Sequence, residues 1–177
     1  MAENSLPPSP KQIFNNFVQI GVVVSDIEKT TQNLTEVFGI GPFRIIDWPP
    51  ARRQDMERFY HGEPATFTAR MAFTELGPVE LEIIQPLDEK SIWADFLRDH
   101  GEGIHHLRFN VDEIKPVQEH LAQYGVQSAQ HGSGIRPNTM WMNFASEDLV
   151  GFVVEIMKIA PGTNGRTPMI VDGKVIE

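Results

Sequence analysis

Four polar side chains interrupt stretches that are otherwise apolar, and their types are those of metal ligands and proton carriers. In Gly151-Phe152-Val153-Val154-Glu155-Ile156-Met157 a single carboxylate sits inside an apolar run. In Val79-Glu80-Leu81-Glu82-Ile83-Ile84-Gln85 the pair Glu80 and Glu82 shares one face of a period-two pattern. Gln19 is the one polar residue in Phe17 to Val24, and His106 opens the alternation His106-Leu107-Arg108-Phe109-Asn110-Val111. A buried carboxylate is costly unless it is paired or holds a metal. Taken singly, each has a plainer explanation: a solvated strand face for His106, or pairing with Arg70 or Arg108 for Glu80. Taken together, Gln19, Glu82, His106 and Glu155 offer one nitrogen and three oxygen donors. That set suits a divalent ion such as Mn²⁺, Co²⁺, Ni²⁺ or Zn²⁺, with positions left open for water or substrate.

Two repeated units would have to carry these residues. Phe17 to Val24 reads as a β-branched strand. Ser25-Asp26-Ile27-Glu28 has the form of a capping box, opening a helix with Ile27, Leu34, Val37 and Phe38 on its apolar face and Gly39 as its stop. A short strand, Phe43 to Trp48, is closed by Pro49-Pro50. Ala51 to Pro64 is charged, aromatic and aperiodic, and reads as a loop or an irregular helical turn, either a substrate-side lid or a solvated connection. Thr66 to Phe73 and Val79 to Gln85 form a hairpin through Gly77-Pro78, and a helix spans Asp88 to His100. Strand His106 to Val111 then leads into a helix that stops at Gly125, with three more strands at Val126 to Gln130, Met140 to Ala145 and Phe152 to Met157. Residues 19–24 align with 106–111, so a strand-helix-three-strand unit occurs twice. In this alignment Gln19 matches His106, and Glu82 matches Glu155.

Composition narrows the partners. The chain has 177 residues, a net charge of −9 and no cysteine. The negative charge and the lack of a basic run argue against nucleic acid and anionic membranes. Without cysteine there is no disulfide frame, thiolate metal site or cysteine nucleophile. No apolar signal core or membrane-length segment is present, so a cytoplasmic location is expected. A flexible arm is expected over 1–13. One domain follows over 14–158, with modules at about 14–87 and 103–158. The tail, 159–177, offers only an Asp172-Gly173 hairpin turn.

The sequence resembles the vicinal oxygen chelate superfamily (glyoxalase, bleomycin-resistance and dioxygenase proteins), and within it the glyoxalase-like proteins related to methylmalonyl-CoA epimerase. The resemblance rests on residues 19–28, Phe38-Gly39-Ile40-Gly41-Pro42-Phe43, Glu82-Ile83-Ile84-Gln85-Pro86-Leu87, Gly101-Glu102-Gly103-Ile104-His105-His106 and residues 151–155. It implies an α+β fold of two βαβββ modules around a metal cavity, with Gln19, Glu82, His106 and Glu155 as ligands. The family residue at position 19 is usually histidine; a glutamine oxygen coordinates more weakly. His105 points away from His106 by strand alternation and is read as a residue that packs or that supports the ligands from behind.

The resemblance also frames the chemistry. Related ring-cleaving dioxygenases hold iron with two histidines and a carboxylate. Here only His106 fits a ligand place, which disfavours oxygen chemistry. What remains is Lewis-acid isomerisation or epimerisation beside a carbonyl, on an acyl-CoA or a small carboxylic substrate. In the epimerases one carboxylate is a ligand and another lies across the substrate; Glu155 matches the first role and Glu63 is the candidate for the second. A glyoxalase-type lyase and a metal-free small-molecule binding protein are the alternatives. A homodimer is expected, since the superfamily commonly pairs modules and open sheet edges need covering.

Overall fold

A computed structural model describes residues 13–53, 55–163, 165–171 and 174–176. The chain runs β1 (Phe17–Val23), α1 (Ile27–Phe38), β2 (Arg44–Trp48), β3 (Arg58–Tyr60), β4 (Glu63–Pro64), β5 (Ala69–Leu76), β6 (Val79–Pro86) and α2 (Ile92–His100). It continues through β7 (Gly103–Val111), α3 (Ile114–Ala122), β8 (Ser128–Ser133), β9 (Met140–Phe144), α4 (Glu147–Val150) and β10 (Val153–Lys158), then a separate pair, β11 (Met169–Val171) and β12 (Lys174–Ile176). The expected Asp172-Gly173 turn between that pair lies outside the described residues, as do residues 1–12 of the expected arm.

Ten strands form one mixed α+β sheet, in the order β2-β5-β6-β1-β7-β10-β9-β8-β3-β4, curled into a half-barrel. The two repeats are visible in the strand order. β1 runs parallel to β6 and β7 runs parallel to β10, while β1 and β7 meet antiparallel at the centre. The registers agree as well. Glu82 pairs with Gly21, two residues after Gln19, and Glu155 pairs with Arg108, two residues after His106.

Alternation along the strands separates two faces. Ala72, Leu81 and Ile83 pack with Ile27 of α1, and Met142, Phe144 and Ile156 pack with Ile114 and Val117 of α3. Their strand neighbours Met71, Phe73, Ile84, Trp141, Val153 and Met157 point the other way, into a third cluster with Trp48, Phe67 and Trp93. Glu82 and Glu155 lie at the phase of this third cluster, on the concave face. Two helices on one side thus leave the other side to form a lined hollow.

Several local expectations are corrected. The N-cap of α1 is Asp26, which accepts from the Lys29 amide at 2.9 Å. Ser25 instead donates through its amide and hydroxyl to Glu102, tying the end of β1 to the start of β7, and Glu28 pairs with Arg70. Val37 and Phe38 are exposed, at 70% and 69%; the helix is held by Ile27, Thr31 and Leu34, one stripe at i, i+4 and i+7. The aperiodic stretch from Ala51 to Pro64 is not a free loop. After one 3₁₀ turn it becomes β3, which pairs with β8 of the second repeat, and Phe59 stacks on His131 at 4.7 Å. Three residues are too few for alternation to show in sequence.

Candidate metal centre

His106 is placed by the seam between the repeats. Gly21 of β1 pairs with His106, but the next step pairs Val22 with Ile104, so His105 is an extra residue in β7. Such a bulge re-aims the side chains beside it. It breaks the alternation that separates His105 from His106 on paper: their Nδ1 atoms lie 3.1 Å apart. The imidazole of His106 lies directly over Gly21, where a Cβ would come within 2.0 Å of Cε1 and 2.3 Å of Nε2. Only glycine leaves room for the ring.

The structure brings the other three residues to the same nitrogen. His106 Nε2 is 3.3 Å from Glu82 Oε2, 3.4 Å from Glu155 Oε2 and 3.4 Å from Gln19 Oε1. All four residues are buried, none exposed beyond 7%. The orientation of Gln19 is set by Glu80, which accepts from Gln19 Nε2 at 2.6 Å. A carboxylate only accepts, so the amide nitrogen faces Glu80 and the amide oxygen is left toward His106. Glu80 is itself held by the Thr167 hydroxyl at 2.9 Å and faces Arg108 at 3.6 Å. The sequence thus offers the right partner for Glu80 in Arg108, whereas Arg70 is engaged by Glu28 and Asp47.

Charge decides the state of the cluster. Burial works against an imidazolium at His106, but Glu155 and Glu82 outweigh it and raise its pKa. At 3.4 Å and an effective dielectric of about 20, each attraction is on the order of 5 kcal/mol, enough to offset the desolvation of one cation. Burial pushes Glu155 up, and the charges of His106 and Arg108 pull it back only in part. Burial, reinforced by the charge at His106, holds His105 well below the usual histidine range. A neutral His105 accepts at Nδ1 from the Nδ1–H of His106, which directs His106 Nε2 at the carboxylates.

These donors fit a divalent ion by type: one imidazole nitrogen, two carboxylates and an amide oxygen. Separations of 3.3–3.4 Å match neighbouring ligands around an ion bound at roughly 2.0–2.2 Å. As they stand they contact one another, and among the described residues no group of three His, Asp or Glu side chains is already spread to hold an ion. Beside them is a cavity of about 60 Å³ whose wall includes Glu82, Glu155, Arg108, Trp48, Trp93 and Trp141. Glu63 is not brought to it. That residue is exposed on β4 and lines a separate cleft with Tyr60, His61 and Asp95. Among the described residues, none of 51–64 lines the cavity.

Residues 18–144 match the family model of the Glyoxalase/Bleomycin resistance protein/Dioxygenase superfamily. The chain belongs to that superfamily. No curated protein matches it in sequence. Among solved structures it is similar to a hypothetical protein of Bacillus halodurans, with 20% identity, a TM-score of 0.59, and 84% of this chain and 96% of that one covered. A methylmalonyl-CoA epimerase in complex with methylmalonyl-CoA and NH4⁺ is 18% identical over the same shares, with a TM-score of 0.59. The methylmalonyl-CoA epimerase of Mycobacterium tuberculosis is 19% identical, with a TM-score of 0.57 over 85% of this chain and 92% of that one. At these identities the likeness is one of fold.

Sequence reading missed two parts of the site and read a third, Arg108, only as a partner for Glu80. Gly21 carries a signal, a glycine inside a β-branched strand, which marks a bulge or a close approach. Arg108 shares a face with His106 but has no motif around it. Thr167 and Pro168, also on the cavity wall, come from a tail with no recognisable pattern.

Proposed function

We propose that the protein is a metal-dependent isomerase or epimerase that moves a proton on the carbon next to a carbonyl. The observation that carries this reading is the approach of both Glu82 and Glu155 to His106 Nε2, at the wall of an otherwise largely apolar cavity. Gln19, Glu82, His106 and Glu155 would hold a Co, Mn, Ni or Zn ion, which when bound polarises a carbonyl and acidifies the adjacent C–H. Glu155 has the role of moving the proton. Its carboxyl group is on the cavity wall, within reach of a substrate carbon bound there. Its Oε2 faces His106, leaving Oε1 free of that contact. Glu63 lines the other cleft, so this reading has a single proton carrier, Glu155, and no second carboxylate across the substrate.

The test is solvent exchange. With metal added, α-protons of small 2-oxo acids or acyl thioesters are expected to exchange with deuterium, and Glu155→Gln should slow this by roughly 10²–10⁴-fold. Failure of every carbonyl compound to exchange would remove the isomerase reading. The rival is a metal-free binding protein, favoured by the contacts the four side chains already make with one another. Elemental analysis of the purified protein separates the two. We also propose that the protein acts as a homodimer on a small-molecule substrate.

A further inference from the structure

The segment after β10 carries no motif, yet it is tied down across the cavity by three arginines from separate parts of the sheet and its loops. Arg108 Nη2 donates to the Gly165 carbonyl at 3.1 Å, Arg136 Nη1 to the Arg166 carbonyl at 2.8 Å and Arg44 Nη2 to the Thr167 carbonyl at 3.0 Å. The Thr167 hydroxyl adds its bond to Glu80, and the Arg166 side chain pairs with Glu75 and reaches the Gly77 carbonyl in the β5–β6 turn. Residues 165–168 thus form a strap from the second repeat to the first. Because its ties are to backbone carbonyls, they leave little trace in the sequence of the strap itself.

Under this strap the cavity of about 60 Å³ has room for roughly four to six water-sized volumes, far below the roughly 300–1,000 Å³ of sites for larger ligands. Its apolar wall is closely packed. Trp48 meets Trp93 and Trp141 edge-on at 5.8 and 5.7 Å, and Trp93 stacks on Trp141 at 6.0 Å. Two hydrogen-bond donors on residues of the same wall have no partner among the described residues: Arg108 Nε and Trp93 Nε1. Both residues are buried, at 4% and 3% exposure. Buried donors are rarely left without an acceptor, and a ligand in the cavity would supply one.

We propose that the strap makes this a site for a small carbonyl acid of about six to eight heavy atoms, and that it shuts out thioesters bearing a coenzyme A arm. The acid's carboxylate oxygens accept from Arg108 and Trp93, its apolar end meets the tryptophans, and its carbonyl faces Glu82 and Glu155. This rests on the reading of the site as one acting beside a carbonyl. It differs from the liganded epimerase of similar fold, which binds methylmalonyl-CoA.

All three tryptophans of the chain line the cavity, so intrinsic fluorescence reports on it. In the full chain with Zn²⁺ present, 2-oxobutyrate is expected to change tryptophan emission saturably, and propionyl-CoA at equal concentration to leave it unchanged. Arg108→Met should weaken the oxo-acid response about ten-fold or more, as for a lost charged hydrogen bond. Arg44→Ala combined with Arg166→Ala, which releases two ties, should increase acrylamide quenching about two-fold and admit propionyl-CoA, as local opening would. Equal responses to both compounds in the unaltered chain, or none to either, would overturn the proposal. Those two titrations decide it even if the double variant fails to fold. Binding of 2-oxobutyrate without α-proton exchange would defeat the isomerase reading and leave the small-acid site standing; exchange on propionyl-CoA in the unaltered chain would do the reverse.

Discussion

His106 depends on two neighbours that are not among the residues lining the cavity. Gly21 makes space for its ring and His105 accepts from its Nδ1–H, so both act on where Nε2 points. Gly21→Ala would place a methyl inside the imidazole, and the ring must swing away from Glu82 and Glu155. Calorimetric titration with Zn²⁺ should then show affinity falling by about 10–100-fold, the range for lost supporting contacts, with the far-UV spectrum unchanged. Retained affinity would mean that the ring can shift without leaving the cluster. His106→Ala removes the only nitrogen among the four donors and should lower metal occupancy more than His105→Phe, which keeps the edge-on packing against Phe96 and loses only the orienting bond. Equal losses would show that the two histidines have been assigned the wrong way round. Gln19, Glu82, His106 and Glu155 are legible in the sequence because polar residues in apolar strands stand out and because the repeat pairs them. Neither Gly21 nor Arg108 is legible in the same way, since each acts through a contact between strands far apart in the chain.

The elements follow the same division. The longer strands announce themselves by alternation or by apolar, β-branched runs, and α1 and α3 by the glycines just past their ends, whereas the four-residue α4 is too short to show a helical period. β3, the bulge at His105 and the strap do not announce themselves either, because pairing with distant backbone makes them rather than any local period. β3 offers a test at this scale. His131 of β8 stacks on Phe59 and shares a hydrogen bond with Ser128 at 3.0 Å, and burial lowers its pKa. A histidine with a depressed folded value binds fewer protons in the native state than in the unfolded chain. Its stabilising contribution is therefore present above the unfolded value of 6.5 and is lost as pH falls below it. With saturating metal fixing His106, the melting temperature should drop between about pH 7.5 and 5.5, and His131→Phe, which keeps the stack, should lessen that drop. An identical drop in both proteins would assign it elsewhere, with buried His105 the first alternative, since its shift has the same sign.

At the scale of the whole molecule, one sheet passes through both repeats without interruption, so the site belongs to neither half alone. Gln19 and Glu82 come from one and His106 and Glu155 from the other, and the β1–β7 seam sets their spacing. A curled sheet that does not close has two edges, here β2 and β4. β4 is two residues long and ends in Pro64, features that blunt an edge against pairing. β2 has five residues and an exposed Ile45, at 38%, and among the described residues of the sheet it pairs on one side only, with β5. That asymmetry makes β2 the edge we expect a second copy to cover. Light scattering at micromolar concentration should give twice the 20.0 kDa chain mass. Ile45→Lys puts a charge on the edge while leaving the β2–β5 ladder intact, and it should shift the mass to that of one chain. A monomeric parent protein would discard the dimer outright; a dimeric Ile45→Lys would keep the dimer and move its seam away from β2.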